Sequence, residues 1–194
     1  MPAAGELTLG LLAGGRGVRL GGVDKAWLER DGVPQVLRFA RRFPGETGPV
    51  LVSANRDVQR YTDAGLEAVP DRIGDGGSGP LAGIDALAAA CATPWLLTVP
   101  VDLFDVNDCL VRTLLAGAAA DGAMAEDDDG LQPLVALYRV SRLREVLPAM
   151  IAGGELAPRA LARHLDLSRV RLPGVRFGNL NTPQDLAVAR IALP

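Results

Sequence analysis

Four apolar stretches in the first hundred residues, separated by glycine-rich turns and helical patterns, constrain this chain more than any other feature. "ELTLGLLA" (residues 6–13) barely alternates in polarity, as expected of a strand covered on both faces. "PVLVSA" (49–54) is a second such strand, and "LEAVPD" (66–71) is a third that ends at Asp71. "PWLLTVPVD" (94–102) is a fourth, with Asp102 at its carboxyl end. Between them lie a helix over 34–43, with Pro34 at its start and Val36, Leu37, Ala40 and Phe43 along one stripe, and a polar helix over 56–64. An Ala-rich helix, "PLAGIDALAAAC", follows the third strand. This alternation calls for a parallel α/β sheet with helices on both faces. In such sheets ligands bind beyond the carboxyl ends of the strands, which places Asp71, Asp102 and two glycine-rich loops on one rim.

The second half reads as a helix over 107–120, then "GAMAE" and "PLVALYRV" as two strands around the acidic turn "EDDDG". A helix opened by Ser141 ends at Gly153-Gly154, "APRALARHL" forms a short helix, and "TPQDLAVARIA" forms the last, with Thr182 as N-cap and Pro183 at its first position. No repeat or linker interrupts the 194 residues, so a single domain is expected.

The first loop, "LAGGRGVRLGGVDK" (12–25), holds five glycines, two arginines and a lysine. A Walker loop needs Lys-Ser/Thr after its second glycine, whereas Val23-Asp24 stands there. A dinucleotide loop read from Gly15 and Gly17 needs a small residue at Leu20. Neither template fits. What fits is a longer phosphate bed: Gly14 and Gly15 admit the backbone close to a triphosphate, Lys25 carries a compact charge to the reacting end, and Arg16 and Arg19 fork onto other oxygens. The second loop, 72–83, lacks a lysine and reads as a flap beside a nucleotide.

Bulk properties exclude several roles. A formal net charge of -3 and a pI near 5.2 leave no electrostatic footprint for nucleic acid. Two cysteines, Cys91 and Cys109, form neither a metal cluster nor a disulfide framework, and Cys91 reads as a small buried apolar residue. The first residues carry no signal-peptide pattern and no stretch is long enough to span a membrane, so a cytoplasmic location is expected. The lone histidine, His164, reads as a surface or half-packed side chain, and nothing resembles a nucleophile elbow. Asp105 and Asp108 read as capping or solvated carboxylates, and "EDDDG" as a hairpin turn in preference to a second metal site.

The loop "LAGGRGVRLGGVDK" resembles the signature of the molybdenum cofactor guanylyltransferases, LAGG-x-x-x-R-M-G-G-x-D-K, with only Leu20 departing. The resemblance continues through "ANRD", the "PD" at Asp71, "GPLAG" (79–83), the aspartate after "TVPV" and "NLNTPQDL", in order along nearly the whole chain. It implies a three-layer α/β/α nucleotidyltransferase-like (Rossmann-like) fold whose N-terminal half binds nucleotide and whose C-terminal half binds acceptor. It implies transfer of GMP from GTP to the phosphate of molybdopterin with Mg²⁺ as cofactor, and other cofactor-assembly proteins and apo-molybdoenzymes as further partners. Carried over by position, Leu12, Ala13, Gly14 and Gly15 line the nucleotide, Lys25 pairs with phosphate, and Ser53, Asn55, Asp71, Gly79, Pro80 and Leu81 complete the nucleotide side. Asp102 ligates the metal, Lys25, Asp102 and Arg19 form the catalytic set, and Asn179 and Asn181 face the acceptor. Ser53 stands where the family often has asparagine, which opens the choice of base.

The chemistry suits these residues. A phosphate monoester acceptor is already an anionic oxygen nucleophile, so no histidine base is required, and catalysis reduces to positioning and charge neutralisation. Arg159 and Arg163 lie one turn apart and either meet the pterin phosphate or form an exposed basic face. Three other readings compete: a related transferase using CTP or another phosphorylated acceptor, an inactive GTP-binding assembly factor, and a dehydrogenase, which Leu20 and Lys25 disfavour.

Overall fold

The computed structural model describes residues 3–14, 21–72 and 79–191. Its centre is β1 (Leu7–Leu12), which pairs in parallel with β4 (Val50–Ser53) on one side and β6 (Trp95–Pro100) on the other. β5 (Glu67–Val69) adds in parallel outside β4. β8 (Gly130–Arg139) pairs antiparallel with β6 and with β7 (Gly122–Asp127), and β9 (Leu167–Arg171) runs parallel to β7. The seven-stranded order is therefore β5-β4-β1-β6-β8-β7-β9, mostly parallel as expected. β2 (Glu29–Arg30) and β3 (Val33–Pro34) form a separate hairpin whose turn, Asp31-Gly32, has positive φ at both residues, 55° and 74°.

Alternation along β1 divides the core. Leu7, Leu9 and Leu11 face one layer, where they join Val36 and Phe39 of α1 (Gln35–Ala40), Tyr61 of α2 (Val58–Asp63) and Leu110 and Leu114 of α4 (Leu110–Gly117). On the opposite face Leu51 and Leu96 meet Leu81, Ile84 and Leu87 of α3 (Gly79–Ala90) and Leu143 and Leu147 of α5 (Val140–Ala152). The three layers follow from this period-two pattern. A smaller cluster joins Leu28, Leu180 and Leu186, the last on α6 (Pro183–Val188), and docks the C-terminal segment against Val23 and Leu28. Among the described residues no helix is long and apolar enough to cross a membrane.

Several boundaries differ from the sequence reading. Ser141 does not cap α5: the helix begins at Val140, directly out of β8, and the Arg139 cap position makes no side-chain cap bond. The Val140 N–H is instead taken by the Pro94 carbonyl at 2.9 Å, so the start needs no hydroxyl. α4 starts at Leu110 because Asn107 Oδ1 accepts the Cys109 N–H at 2.6 Å and holds the preceding residues in a turn. β5 stops at Val69, ahead of Pro70 and Asp71. The short helix expected from "APRALARHL" is a 3₁₀ helix over Pro158–Arg163, and β9, which follows it, has no counterpart in the sequence reading. The expected cap of α6 is present: Thr182 and Asp185 form a full capping box with Pro183 at the first position.

Candidate active site

Register sets the rim. Leu12 lies opposite Ser53 of β4 and Pro100 of β6, so three parallel strands end together. Ala13 N–H donates to the Ser53 carbonyl at 3.0 Å and Val101 N–H to the Leu12 carbonyl at 3.2 Å, which carries the ladder to the point where the chain turns out. Ala13 is buried, Leu12 half-buried and Gly14 exposed. A Cβ added at Gly14 would meet open space, so the protein's own packing does not demand glycine there.

Past the first loop, the Asp24 carboxylate accepts the Ala26 N–H at 3.0 Å and caps a 3₁₀ turn over Lys25–Trp27. Burial pushes the Asp24 carboxyl above its ordinary range, against the opposing pull of that hydrogen bond. The turn is gripped from α2: the Trp27 and Tyr61 rings lie 5.0 Å apart at a tilt, and the Arg60 guanidinium sits 4.1 Å over the Trp27 ring. Burial, with the Asp24 charge second, raises the Tyr61 hydroxyl above its usual value. These contacts fix where Lys25 emerges. Its Nζ donates to Asp102 Oδ2 at 3.0 Å and to Asn181 Oδ1 at 2.6 Å. The lysine side chain is 14% exposed and the aspartate 25%, so the pair is screened less than a surface pair.

Asp102 stands in the turn after β6, and the C-terminal segment passes alongside it. Leu180 N–H donates to the Asp102 carbonyl at 2.7 Å, while Phe104 and Asp105 N–H donate to the Phe177 carbonyl at 3.2 and 3.0 Å. The close passage depends on Gly178, which has φ +59° and would place a Cβ 2.0 Å from the Phe104 ring. Residues 25, 102 and 181 thus meet although the first and last are 156 positions apart.

A second corner of the rim holds Asn55, Asp71 and Asp85. Asn55 Nδ2 donates to Asp71 Oδ2 and Asp71 N–H donates back to Asn55 Oδ1, both at 2.8 Å. Among the described residues Asp71 Oδ1 is buried with no hydrogen-bond partner, and so is Oδ2 of Asp85, a residue of α3. Arg72 reaches only to 3.7 Å of Asp85. Burial raises the Asp85 carboxyl, Arg72 works against that shift, and the Asp71 charge adds to it. The sequence reading did not single out Asp85. Its signal is a carboxylate inside the otherwise apolar "GPLAGIDALAAAC".

Ser53 is 2% exposed, and a Cβ on Gly83 would fall 2.6 Å from its Oγ, so its side chain is wedged against α3 below the open rim. Gly79 and Pro80 are exposed at the start of α3, whereas Leu81 is fully buried and offers only its backbone. Asn179 is exposed; Asn181 is half-buried and belongs to the Lys25 cluster. Gly15, Arg16, Arg19 and residues 73–78 of the second loop lie outside the described residues. His164 bonds Glu155 at 2.6 Å, Arg163 also pairs with Glu155, and Arg159 is exposed. In the acidic turn, Asp127 is 1% exposed and its carboxylate accepts the N–H groups of Asp129 and Phe177 and the Gln132 amide. That is a structural role. Asp108 pairs with Arg42 at 2.8 Å, and Cys91 is buried. Among the described residues no group of three or more His, Cys, Asp or Glu side chains forms a metal cage.

One compositional signal went unread. The chain has 20 basic residues, and Lys25 is the only lysine among them. A sequence that uses arginine everywhere else keeps a compact ammonium at this one seat.

Comparison with known proteins adds the family. Residues 10–169 match the family described as the MobA-like NTP transferase domain. A protein of Cupriavidus necator named molybdenum cofactor guanylyltransferase is 32% identical over 194 aligned residues, which cover 96% of this chain and 97% of that protein. One of the same name from Ralstonia nicotianae is 35% identical over 193 residues, 93% of this chain and 94% of that protein. Among solved structures, molybdopterin-guanine dinucleotide biosynthesis protein A from Archaeoglobus fulgidus superposes with a TM-score of 0.69 at 23% identity, over 94% of this chain and 96% of that one. The 2-C-methyl-D-erythritol 4-phosphate cytidylyltransferase from Thermus thermophilus gives 0.66 at 21% identity, over 93% and 95%. The fold is thus shared with a cytidylyltransferase, so fold alone does not select a base.

Proposed function

The chain belongs to the family of MobA-like NTP transferases, and we propose that it acts as a molybdenum cofactor guanylyltransferase, joining GMP from GTP to the phosphate of molybdopterin. The observation that carries this reading is the seat of Lys25 between Asp102 and Asn181 at the carboxyl rim. In the reaction an acceptor phosphate oxygen attacks the α-phosphorus, the bond from that phosphorus to the β-phosphate oxygen breaks, and pyrophosphate leaves with the electron pair. No proton has to move. That agrees with a rim whose cluster contains an ammonium, a carboxylate and an amide and no imidazole, the single histidine being engaged with Glu155.

Each residue then has a task. Gly14 leaves room for the triphosphate against the end of β1. Lys25 draws on the oxygens of the transferred group as their charge grows, a point charge being worth most where water is partly excluded. Asn55 and Asp71 hold the nucleoside end. The first half of the sheet serves the nucleotide and the second half the acceptor, within one nucleotidyltransferase domain.

Magnesium fits this donor set. Mg²⁺ prefers hard oxygen ligands and takes only one or two carboxylates, completing its shell with phosphate and water, and among the described residues the rim offers Asp102 and no protein-only cage. When bound, the ion would be held by Asp102 and would neutralise charge on the triphosphate. We place the enzyme in the cytoplasm, with GTP and molybdopterin as its partners.

The test is direct. Protein is incubated with molybdopterin, Mg²⁺ and labelled GTP, CTP or ATP, and the dinucleotide product is resolved. Transfer of GMP alone is expected. Exclusive CTP turnover overturns the guanine assignment, and tight GTP binding without turnover in any arm overturns the enzymatic one.

A further inference from the structure

The capping box at α6 does more than start a short helix. In a capping box the acidic residue at the third helical position receives one backbone N–H, that of the cap residue. Here Asp185 Oδ2 takes the Thr182 N–H at 2.8 Å and also the N–H of the preceding residue, Asn181, at 3.0 Å. The Asn181 N–H is shared with the Asn179 carbonyl, also at 3.0 Å. The second bond is not needed to satisfy the helix, whose first turn is already served by Thr182 Oγ1 on the Asp185 N–H at 3.2 Å. What it fixes is the main chain of the residue whose side-chain oxygen lies 2.6 Å from Lys25 Nζ.

We infer that Asp185 is a positioning residue for Lys25: by clamping the Asn181 backbone it sets the amide oxygen that holds the ammonium beside Asp102. The inference rests on the proposed role of Lys25 at the transferred phosphoryl group. A lysine has four rotatable side-chain bonds, and an ammonium steered at the reacting atoms by one contact alone would sample several positions. Two anchors, one carboxylate oxygen and one amide oxygen, define its place before substrate arrives. Charge acts in the same sense, because the Asp185 carboxylate lies close enough to feel Lys25 and its own pKa is held below the usual range, first by the Thr182 hydroxyl and then by these N–H groups. The link runs from the α6 cap to the Asn181 backbone and from the Asn181 amide to Lys25 by hydrogen bonds of 3.0 and 2.6 Å, joined through the short Asn181 side chain itself.

The test compares Asp185→Ala, Asp185→Asn and Thr182→Ala, each alone and in a Lys25→Ala background, with melting temperatures measured alongside. Thr182→Ala removes the hydroxyl that caps the helix but leaves Asp185 on Asn181. It is expected to lower the melting temperature much as Asp185→Ala does, and to leave kcat within about twofold. Asp185→Ala is expected to lower kcat roughly 10- to 100-fold, the scale of a displacement near 1 Å at a reacting site, with little change in KM for GTP. Asp185→Asn, whose amide oxygen can accept the same two N–H groups, restores most of kcat. In the Lys25→Ala background Asp185→Ala adds no further loss.

A second readout is independent of activity. Because Lys25 is the only lysine, ¹⁵N-lysine labelling gives a single side-chain ammonium resonance. It is expected to be sharp in the wild type and in Thr182→Ala, and broadened in Asp185→Ala. Should Asp185→Ala not fold, Asp185→Ser supplies the same comparison, since its short hydroxyl falls back from the Asn181 N–H. Equal kcat losses in Thr182→Ala and Asp185→Ala, full additivity with Lys25→Ala, or an unchanged ammonium resonance in Asp185→Ala would each overturn the inference. A wild type that transfers no nucleotide while its ammonium signal still depends on Asp185 overturns the functional reading alone.

Discussion

The two corners of the rim are built on opposite plans. Around Lys25 the polar groups satisfy one another: ammonium, carboxylate and amide, drawn from three distant parts of the chain, are joined at 3.0 and 2.6 Å. Around Asp71 the groups are left short. Asn55 and Asp71 bond reciprocally, yet among the described residues one oxygen of Asp71 and one of Asp85 are buried without a hydrogen-bond partner, Arg72 standing 3.7 Å from the latter. An unpaired buried carboxylate oxygen is costly, and chains seldom retain one without a reason. The difference fits a division of labour. Under the proposed function, the reacting end would already have its geometry when the substrate arrives, whereas the nucleoside end would wait for hydrogen-bond donors that the substrate brings.

The sharpest way to break this contrast is at Lys25. Lys25→Ala and Asp102→Ala should each lower GMP transfer by roughly 100- to 1000-fold in kcat, the range seen when a preorganised electrostatic group is removed from an active site. Lys25→Arg should rescue little, because a planar fork does not fit a seat sized for an ammonium between two oxygens. Steady-state kinetics check all three. If Lys25→Arg keeps wild-type turnover, the compact seat is irrelevant and the contrast between the corners loses its stronger half.

The other corner should respond in binding. Removing the Asp71 carboxylate in Asp71→Ala is expected to raise KM for GTP about 10- to 100-fold, the worth of a hydrogen bond to a charged group, with a smaller change in kcat. An Asp71→Ala enzyme that loses kcat at unchanged KM would place Asp71 at the reacting end and merge the two corners into one.

How far these corners were legible in the sequence differs for physical reasons. The strand ends and the loop before Lys25 were readable because parallel strands buried on both faces leave continuous apolar runs, and the chain must turn at their carboxyl ends. Asp71 and Asp102 followed from that topology. The contact between Lys25 and Asn181 was not readable from periodicity, since it depends on Gly178 letting the C-terminal segment pass under Phe104; the resemblance assigned Asn181 to the acceptor side and gave no hint of Lys25. Asp85 escaped because an aspartate in an Ala-rich helix reads as a solvent-facing position, whereas in the folded chain it is 7% exposed. β9 escaped because "LSRVR" (167–171) is short and follows a helical pattern, so that its pairing with β7 is a tertiary effect.

Asp85 offers a gentler test through stability. Its carboxyl is raised by burial, so the folded protein takes up this proton at a higher pH than the unfolded chain does. The cost of the ionised form is therefore fully present above the folded pKa and vanishes as pH falls below the unfolded value of about 4. Asp85→Asn should raise the melting temperature at pH 7 by about 2–4 °C, the scale of 1 kcal/mol in a protein this size, and the advantage should disappear on acidification. Saturating GTP sharpens the comparison. If the substrate donates to this corner, GTP should raise the melting temperature of the wild type more than that of Asp85→Asn.

The smallest effect lies beneath the Lys25 corner, where the rule of mutual satisfaction has an exception. Tyr61 is fully buried, and among the described residues neither its hydroxyl nor the neighbouring Trp27 Nε1 has a hydrogen-bond partner. The ring itself is needed, since it grips the turn that carries Lys25. Tyr61→Phe keeps the ring and removes only an unsatisfied hydroxyl. It should leave kcat unchanged and alter stability by less than about 1 kcal/mol, in the stabilising direction. Tyr61→Ala opens a cavity at the same place and should cost about 3–5 kcal/mol, the range for losing a large buried aromatic side chain. Denaturant titration of both variants separates ring from hydroxyl. A Tyr61→Phe protein destabilised by 2 kcal/mol or more would mean the hydroxyl is bonded in solution, through water or Asp24, and that the Lys25 corner is satisfied down to its base.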